Sequence, residues 1–332
     1  MNLGDIQSQS LSVLSKHLVR GDKVALLDYP RHQNAGDALI WLGARQYLKM
    51  LGVEVAYIAS LNHFSARELR KRVPDGPILI NGGGNFGDRW VESQAFKESV
   101  IAQFPDRKIV QLPQTMEFNT NEGLARAQAV YGSHPDVTIL MRDRVGFAAA
   151  KRAFPNNNVE FCPDMALGYG YHKRGKAKYS LVFLKRNDNE SVQQDTPLLR
   201  GPSYKIVDWG FRGTLRVPAW RALRLAEDVV RVFPKLTPAL YPLIELSFAA
   251  MAEANVRSAS RILSEGNVVV TDRLHAMVLA ALLGIPVYAY DNANKKVSAI
   301  FKDYVGELPN VFFAEDAATA INRGLDYQPT SV

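Results

Sequence analysis

An α/β fold built on mostly parallel sheets is predicted by two features of this sequence. Short runs rich in β-branched and aliphatic residues recur along the chain, with helix-length stretches between them. Most runs also end in a polar or glycine-bearing turn, and that edge is where open parallel sheets bind ligands. Residues 266–296 show both features in one unit. A strand over 268–270 gives way to the turn Thr271-Asp272-Arg273-Leu274-His275, a helix follows over about 276–283, and Gly284 ends it. Ile285-Pro286 then opens a second strand over 287–290. Strand–helix–strand units of this length join parallel neighbours.

The remaining elements follow in chain order. Residues 5–20 carry an apolar stripe of Ile6, Leu11, Leu14 and Leu18 and read as a helix. The first strand is 24–28. A polar loop over 29–37 leads into a helix over 38–50, with Asp37 expected as its N-cap. Strands over 53–59, 77–80, 108–112, 137–141 and 159–161 come next, with helices over 65–72, 121–132 and 146–153. Six strand-like runs alternating with helices make one doubly wound domain. Residues 168–178 are glycine-rich, basic and without periodicity, and are expected to be a linker. Beyond it lie strands over 179–185 and 205–209 and a long helical stretch to about 265, broken near Pro234 and Pro238. The unit described first follows, then a strand over 311–314 and a helix over 316–324.

The loop Asn81-Gly82-Gly83-Gly84-Asn85-Phe86-Gly87-Asp88 matches a dinucleotide fingerprint in the spacing of Gly82, Gly84 and Gly87. The match fails on context. The fingerprint belongs to a first strand–helix turn and wants an acid at the end of the next strand, where this chain has Gln111, Pro113 and Gln114. What remains is backbone that a ligand or another segment can approach closely. Asn85 and Asp88 could hydrogen-bond sugar hydroxyls from it; a tight loop without a ligand is the alternative.

Composition narrows the class. The chain has 332 residues, 47% hydrophobic and 22% charged, enough for two cores. A single cysteine, Cys162, excludes an internal disulfide framework and suits a reducing compartment. The formal charge of +7 is compatible with an acidic partner, yet no nucleic-acid-binding motif is present. The longest uncharged apolar run, 276–290, is 15 residues, short of the roughly 20 a spanning helix needs. A cytoplasmic protein is expected, with peripheral contact at the inner face of the membrane compatible with its charge.

Cationic groups gather at strand ends. Arg273 offers a rigid fork of donors for carboxylate or phosphate, and His275 can exchange a proton near neutral pH. Arg142 follows the strand over 137–141, and Lys296 lies just past the strand over 287–290. The plain alternatives are that Arg273 pairs with an acid such as its neighbour Asp272, and that His275 is a satisfied turn histidine. Three basic groups on one edge argue for an anionic ligand. Asn34, Gly36 and Asp37, after the first strand, reach the same edge, although capping alone would explain Asp37.

Taken in order, Asn34-Ala35-Gly36-Asp37, Gly82-Gly83-Gly84-Asn85, Leu112-Pro113-Gln114, Met141-Arg142-Asp143, Pro163-Asp164, Arg273-Leu274-His275 and Asp291-Asn292 with Lys296 resemble the polysaccharide pyruvyl transferases. The short bacterial members encoded with exopolysaccharide genes are the nearest in pattern, over about residues 24–300. The resemblance implies two Rossmann-like doubly wound domains facing across a cleft, as in glycosyltransferases of the B type. Residues 1–167 would form the acceptor side and 179–332 the donor side. It implies phosphoenolpyruvate as donor, a sugar hydroxyl pair as acceptor and a pyruvate ketal on an exopolysaccharide repeat unit as product.

Carried over residue by residue, Arg142, Arg273, Leu274, His275 and Lys296 would contact the donor, with Lys295 a competitor for the last position. His275 would be the general acid. Asn34, Asp37, Asn85 and Gln114 are the weaker candidates for the acceptor side. No metal and no cofactor beyond the donor are expected. The acceptor glycan could be carried on a polyprenyl diphosphate. A sugar-nucleotide glycosyltransferase of the same fold and a non-catalytic anion-binding subunit stay open as alternatives.

Overall fold

The computed structural model describes residues 2–185, 203–209, 216–291 and 295–327. Asn292 lies outside them. The first sheet gathers β1 (Lys23–Leu27), β2 (Glu54–Ala59), β3 (Ile78–Ile80), β4 (Gly83–Phe86), β5 (Ile109–Met116), β6 (Val137–Met141) and β7 (Asn158–Phe161). Its order is β2-β1-β3-β5-β6-β7, with β4 paired to β5 beyond β3, and every pair is parallel. The second sheet holds β8 (Tyr179–Leu184), β9 (Tyr204–Val207), β10 (Gly266–Thr271), β11 (Val287–Ala289) and β12 (Val311–Phe313) in the order β12-β11-β10-β8-β9, again parallel throughout.

Both sheets therefore start near the middle, run outward to one side, and return to build the other. This is the doubly wound order, which opens a crevice at the strands' carboxyl ends. Parallel strands are covered on both faces, and that explains why the runs read as continuous hydrophobics rather than alternating ones. All five residues of β6, Val-Thr-Ile-Leu-Met, are buried.

Three local expectations are corrected. The helix after β1, α2 (Ala35–Leu51; α1 is Leu3–Leu14), is capped by Asn34, whose Oδ1 accepts from the Gly36 N–H at 2.9 Å. Asp37 is inside the first turn, and its carboxylate accepts from Asn34 and from His32. The glycine-rich segment is partly a strand, β4. It forms because β5 runs four residues past the expected end, and Gly83 and Phe86 pair with Gln114 and Met116. Pro113 sits at the irregularity in β5 between Gln111 and Gln114, so its missing N–H disturbs the ladder without ending the strand. After α3 (Ala66–Arg72), a helix absent from the sequence reading, α4 (Val91–Gln103), follows β4. Its inward positions include Gln94, Lys97 and Glu98, so it lacks the apolar stripe by which a helix is recognised.

Helices α5 (Asn121–Ser133) and α6 (Arg144–Ala153) complete the first sheet's cover. The expected linker begins later than its glycines suggested, because a 3₁₀ turn over Met165–Tyr169 packs on α2 and irregular chain runs only after it. Next come α7 (Arg216–Leu223), α8 (Leu225–Val232) and the 28-residue α9 (Thr237–Ser264). In the chain these lie between β9 and β10, yet they pack against the first sheet's connections. Phe248 stacks on Tyr29 at 3.8 Å between ring centroids, and Tyr241 accepts the Ile58 N–H at 2.6 Å. Arg31, in the loop after β1, reaches Glu227 and Asp228 of α8. The last helices are α10 (Leu274–Leu282), α11 (Lys296–Asp303) and α12 (Ala317–Leu325).

Candidate active site

Arg142 leaves the end of β6 and turns into buried surroundings, 2% exposed. Its Nε donates to Thr115 Oγ1 at 2.8 Å and its Nη1 to Asp164 Oδ2 at 2.7 Å. Asp164 follows the neighbouring strand β7 and is 1% exposed. Its Oδ1 accepts the Ala166 N–H at 2.8 Å, and its own N–H donates to the Tyr304 hydroxyl at 3.1 Å. Burial alone would push this carboxyl upward. The Arg142 charge, the His275 contact and the backbone bond outweigh it and hold Asp164 far below the ordinary carboxylate range.

His275 arrives from the second sheet. It is the second residue of α10, just past the end of β10, and its Nε2 lies 3.4 Å from both Arg142 Nη1 and Asp164 Oδ2. Nε2 can accept from the guanidinium or donate to the carboxylate, but not both at once. An imidazole that carries its N–H on Nε2 therefore faces Asp164. The ring's other side rests on the amino end of α2. A Cβ built on Gly36 would stand 2.6 Å from His275 Nδ1, so only glycine leaves the ring its place.

This yields a direct expectation. Gly36→Ala should lower the melting temperature, because overpacking against the ring costs about 1–3 kcal/mol, more than the roughly 0.5–1 kcal/mol by which alanine favours a helix over glycine. If His275 takes part in the reaction, as proposed below, turnover should fall about 10²-fold, the usual cost of ångström-scale displacement of a reacting group. A variant that keeps full turnover would show that the ring does not need this seat.

Lys296 reaches the same place from the start of α11. Its Nζ donates to Glu117 Oε2 at 3.1 Å, and Glu117 also accepts from Arg89. Gly84 of β4 lies between the cations: a Cβ there would be 3.6 Å from Arg142 Nη2 and 3.9 Å from Lys296 Nζ. Lys295, the alternative, is the residue preceding α11 and adopts a left-handed backbone, φ 50°. Arg273 points toward the end of β9. Its Nε and Nη2 bind the two oxygens of Asp208 at 3.0 and 2.8 Å, in the two-pronged geometry that suits a guanidinium. Its partner is thus Asp208, not the adjacent Asp272 considered from the sequence. Leu274 is buried and opens α10.

The acceptor-side candidates divide into two pairs. Asn34 and Asp37 stand at the amino end of α2, beside His275. Asp37 is also held below its usual range. Burial opposes this, while His32, His275 and Arg142 favour it; His32 is raised in turn by the Asp37 bond, against burial. Asn85 and Gln114 each donate to the protein, while Asn85 Oδ1 and Gln114 Oε1 are buried and accept from no group among the described residues. Asn85 Nδ2 donates to Asp28 Oδ2 at 2.9 Å, in a cluster closed by the buried Lys97 at 3.3 Å from the same oxygen. Gln114 is fully buried and donates to the Asn81 carbonyl at 2.7 Å. Asp88 binds the Asn119 and Thr120 backbone and so pins the start of α5.

Three members of the cluster had been given no role: Asp164, Thr115 and Tyr304. Pro163-Asp164 at a strand end was the only signal for any of them. Among the described residues no group of side chains could hold a metal ion.

The arrangement joins a buried arginine–carboxylate pair from one sheet to an imidazole from the other, with a lysine alongside. Comparisons with known proteins agree on its kinship. The chain is 30% identical over 308 residues to Pyruvyl transferase 1 of Schizosaccharomyces pombe, covering 87% of this chain and 71% of that one. It is 28% identical to the putative pyruvyl transferase EpsO of Bacillus subtilis, with 95% of each chain covered. A solved structure of a functionally uncharacterised Klebsiella pneumoniae protein shares the fold, with TM-score 0.58 and 18% identity, over 95% of this chain and 100% of that one. The family model for polysaccharide pyruvyl transferase matches residues 34–294, and the chain belongs to that family.

Proposed function

We propose that this enzyme transfers the pyruvyl group of phosphoenolpyruvate to two hydroxyls of one sugar, forming a pyruvate ketal on an exopolysaccharide repeat unit. The observation that carries the reading is the meeting of Arg142 and His275, one from each sheet, 3.4 Å apart. Residues 1–167 and 179–332 would act as acceptor and donor halves of a B-type glycosyltransferase arrangement, joined through 168–178.

The donor carries a phosphate and a carboxylate, so it calls for several cations at one place. Arg142 and Lys296 supply two beside Gly84, and Arg273 would add a third once Asp208 releases it. Each now has a carboxylate partner, and the two least buried of these, Glu117 and Asp208, are the ones an incoming dianion would displace. The reaction adds a proton to the methylene carbon, turning it into a methyl group and leaving an oxocarbenium-like centre. One sugar hydroxyl bonds to that carbon, the bond from carbon to the phosphate oxygen breaks, and the second hydroxyl closes the ring. One hydroxyl proton restores the acid and the other leaves with phosphate. His275, facing the ionised Asp164, is the proton donor.

The test is release of inorganic phosphate from phosphoenolpyruvate in the presence of a glycan panel, with a pyruvate-sized mass gain on one member. Phosphate release that depends on glycan supports the reading. Turnover of nucleotide sugars with no loss from phosphoenolpyruvate would transfer the site to a glycosyltransferase.

A further inference from the structure

The face of α8 and α9 that turns away from the first sheet is unusual. Six large apolar side chains between residues 225 and 246 are exposed: Leu225, Val232, Phe233, Leu236, Leu243 and Leu246. The opposite side of α9 is already buried through Tyr241, Ile244, Phe248 and Met251. A helix apolar on all sides belongs inside a protein or against something else. Leu236, Leu243, Leu246 and Ala250 recur at 7, 10 and 14 residues and so share one side. They run from the turn between the helices to a groove of about 570 Å³ between α7 and α9, lined by Leu223, Leu246, Ala249 and Arg261 and by Arg257, which pairs with Glu253.

At the turn itself every residue from 231 to 236, Arg-Val-Phe-Pro-Lys-Leu, is exposed. The acids of α8 are spent on the other side, since Glu227 and Asp228 both bind Arg31. Among the described residues, no carboxylate lies within ion-pair distance of Arg231 or Lys235.

From this placement we propose that the α8–α9 turn docks on an anionic lipid bilayer. Val232, Phe233 and Leu236 would enter the boundary between headgroups and chains, and Arg231 and Lys235 would stay at phosphate level with their stems along the apolar surface. Charge decides against a second copy of this chain as the occupant. The protein carries +7, and pairing two such turns would bring like charges together. The proposal stands apart from the reading of the donor site and does not need it.

The experiment is sedimentation of the full chain with phosphatidylcholine vesicles and with vesicles of phosphatidylcholine and phosphatidylglycerol in equal parts. Binding is expected to the mixed vesicles, to weaken as salt shortens the screening length, and to be at least tenfold poorer on phosphatidylcholine alone. Arg231→Gln with Lys235→Gln should lower it roughly thirtyfold, and Phe233→Ser with Leu236→Ser on the order of tenfold or more. Because these positions are exposed, the variants should melt as the parent does. A Phe233→Trp variant should gain quenching by brominated chains. Absence of binding to anionic vesicles overturns the proposal. So does binding that the variants leave unchanged, or lipid-free self-association that they abolish.

Discussion

Asp164→Asn is expected to destabilise the protein by about 3–5 kcal/mol, the usual cost of removing one partner from a buried ion pair. Arg142 would be left 2% exposed with an amide where its carboxylate had been. The pH dependence follows from the sign of the shift. The Asp164 carboxyl is held far below the unfolded value of about 3.9, so its contribution is complete above that pH and is lost only as the pH falls through the much lower folded value. The gap between parent and variant in urea denaturation should therefore be constant from neutrality to mild acid and narrow only in strong acid. A gap under about 1 kcal/mol at pH 7 would mean that water or another group compensates Arg142. Turnover should fall as well, since Asp164 is the group that the protonated face of His275 meets.

His275→Ala is expected to lower turnover by about 10²–10⁴-fold, the range for losing a positioned general acid, while donor binding is largely kept. Arg273→Ala should do the reverse, weakening donor binding while the proton donor stays in place. Equilibrium binding of phosphoenolpyruvate set beside single-turnover phosphate release separates the two. Full activity in His275→Gln would remove the imidazole from the proton-transfer role, because glutamine can hydrogen-bond but cannot deliver a proton at neutral pH.

What could be read from the sequence was decided by physical periodicity. The buried parallel strands were legible because they are unbroken apolar runs, as in β6 and β10. Helix α4 was not, because Gln94, Lys97 and Glu98 occupy its inner face, where Gln94 bonds Glu98 within the helix, Lys97 pairs with Asp28 and Glu98 with Arg126. Strand β4 was hidden by glycines that usually signal a turn. It exists because a neighbouring strand outruns the sheet, a fact of tertiary geometry. At the site, the residue types at strand ends pointed to His275, Arg142 and Lys296, which the fold brings close together. Their partners were not predictable, because they come from other strands. Arg273 passes over its neighbour Asp272 and binds Asp208, 65 residues away. Asp164 becomes the hub of the cluster only because β7 lies beside β6.

The path of α8 and α9 governs how the molecule could be cut. A gene truncated after residue 178 would encode the first sheet complete, yet Tyr29 would lose its stacking partner Phe248, and the Ile58 amide its Tyr241 hydroxyl. Arg31 would keep its charge with neither carboxylate to receive it. Such a fragment would leave the translation machinery with an open apolar wound, so residues 225–264 must travel with the amino-terminal sheet if either half is to be expressed alone.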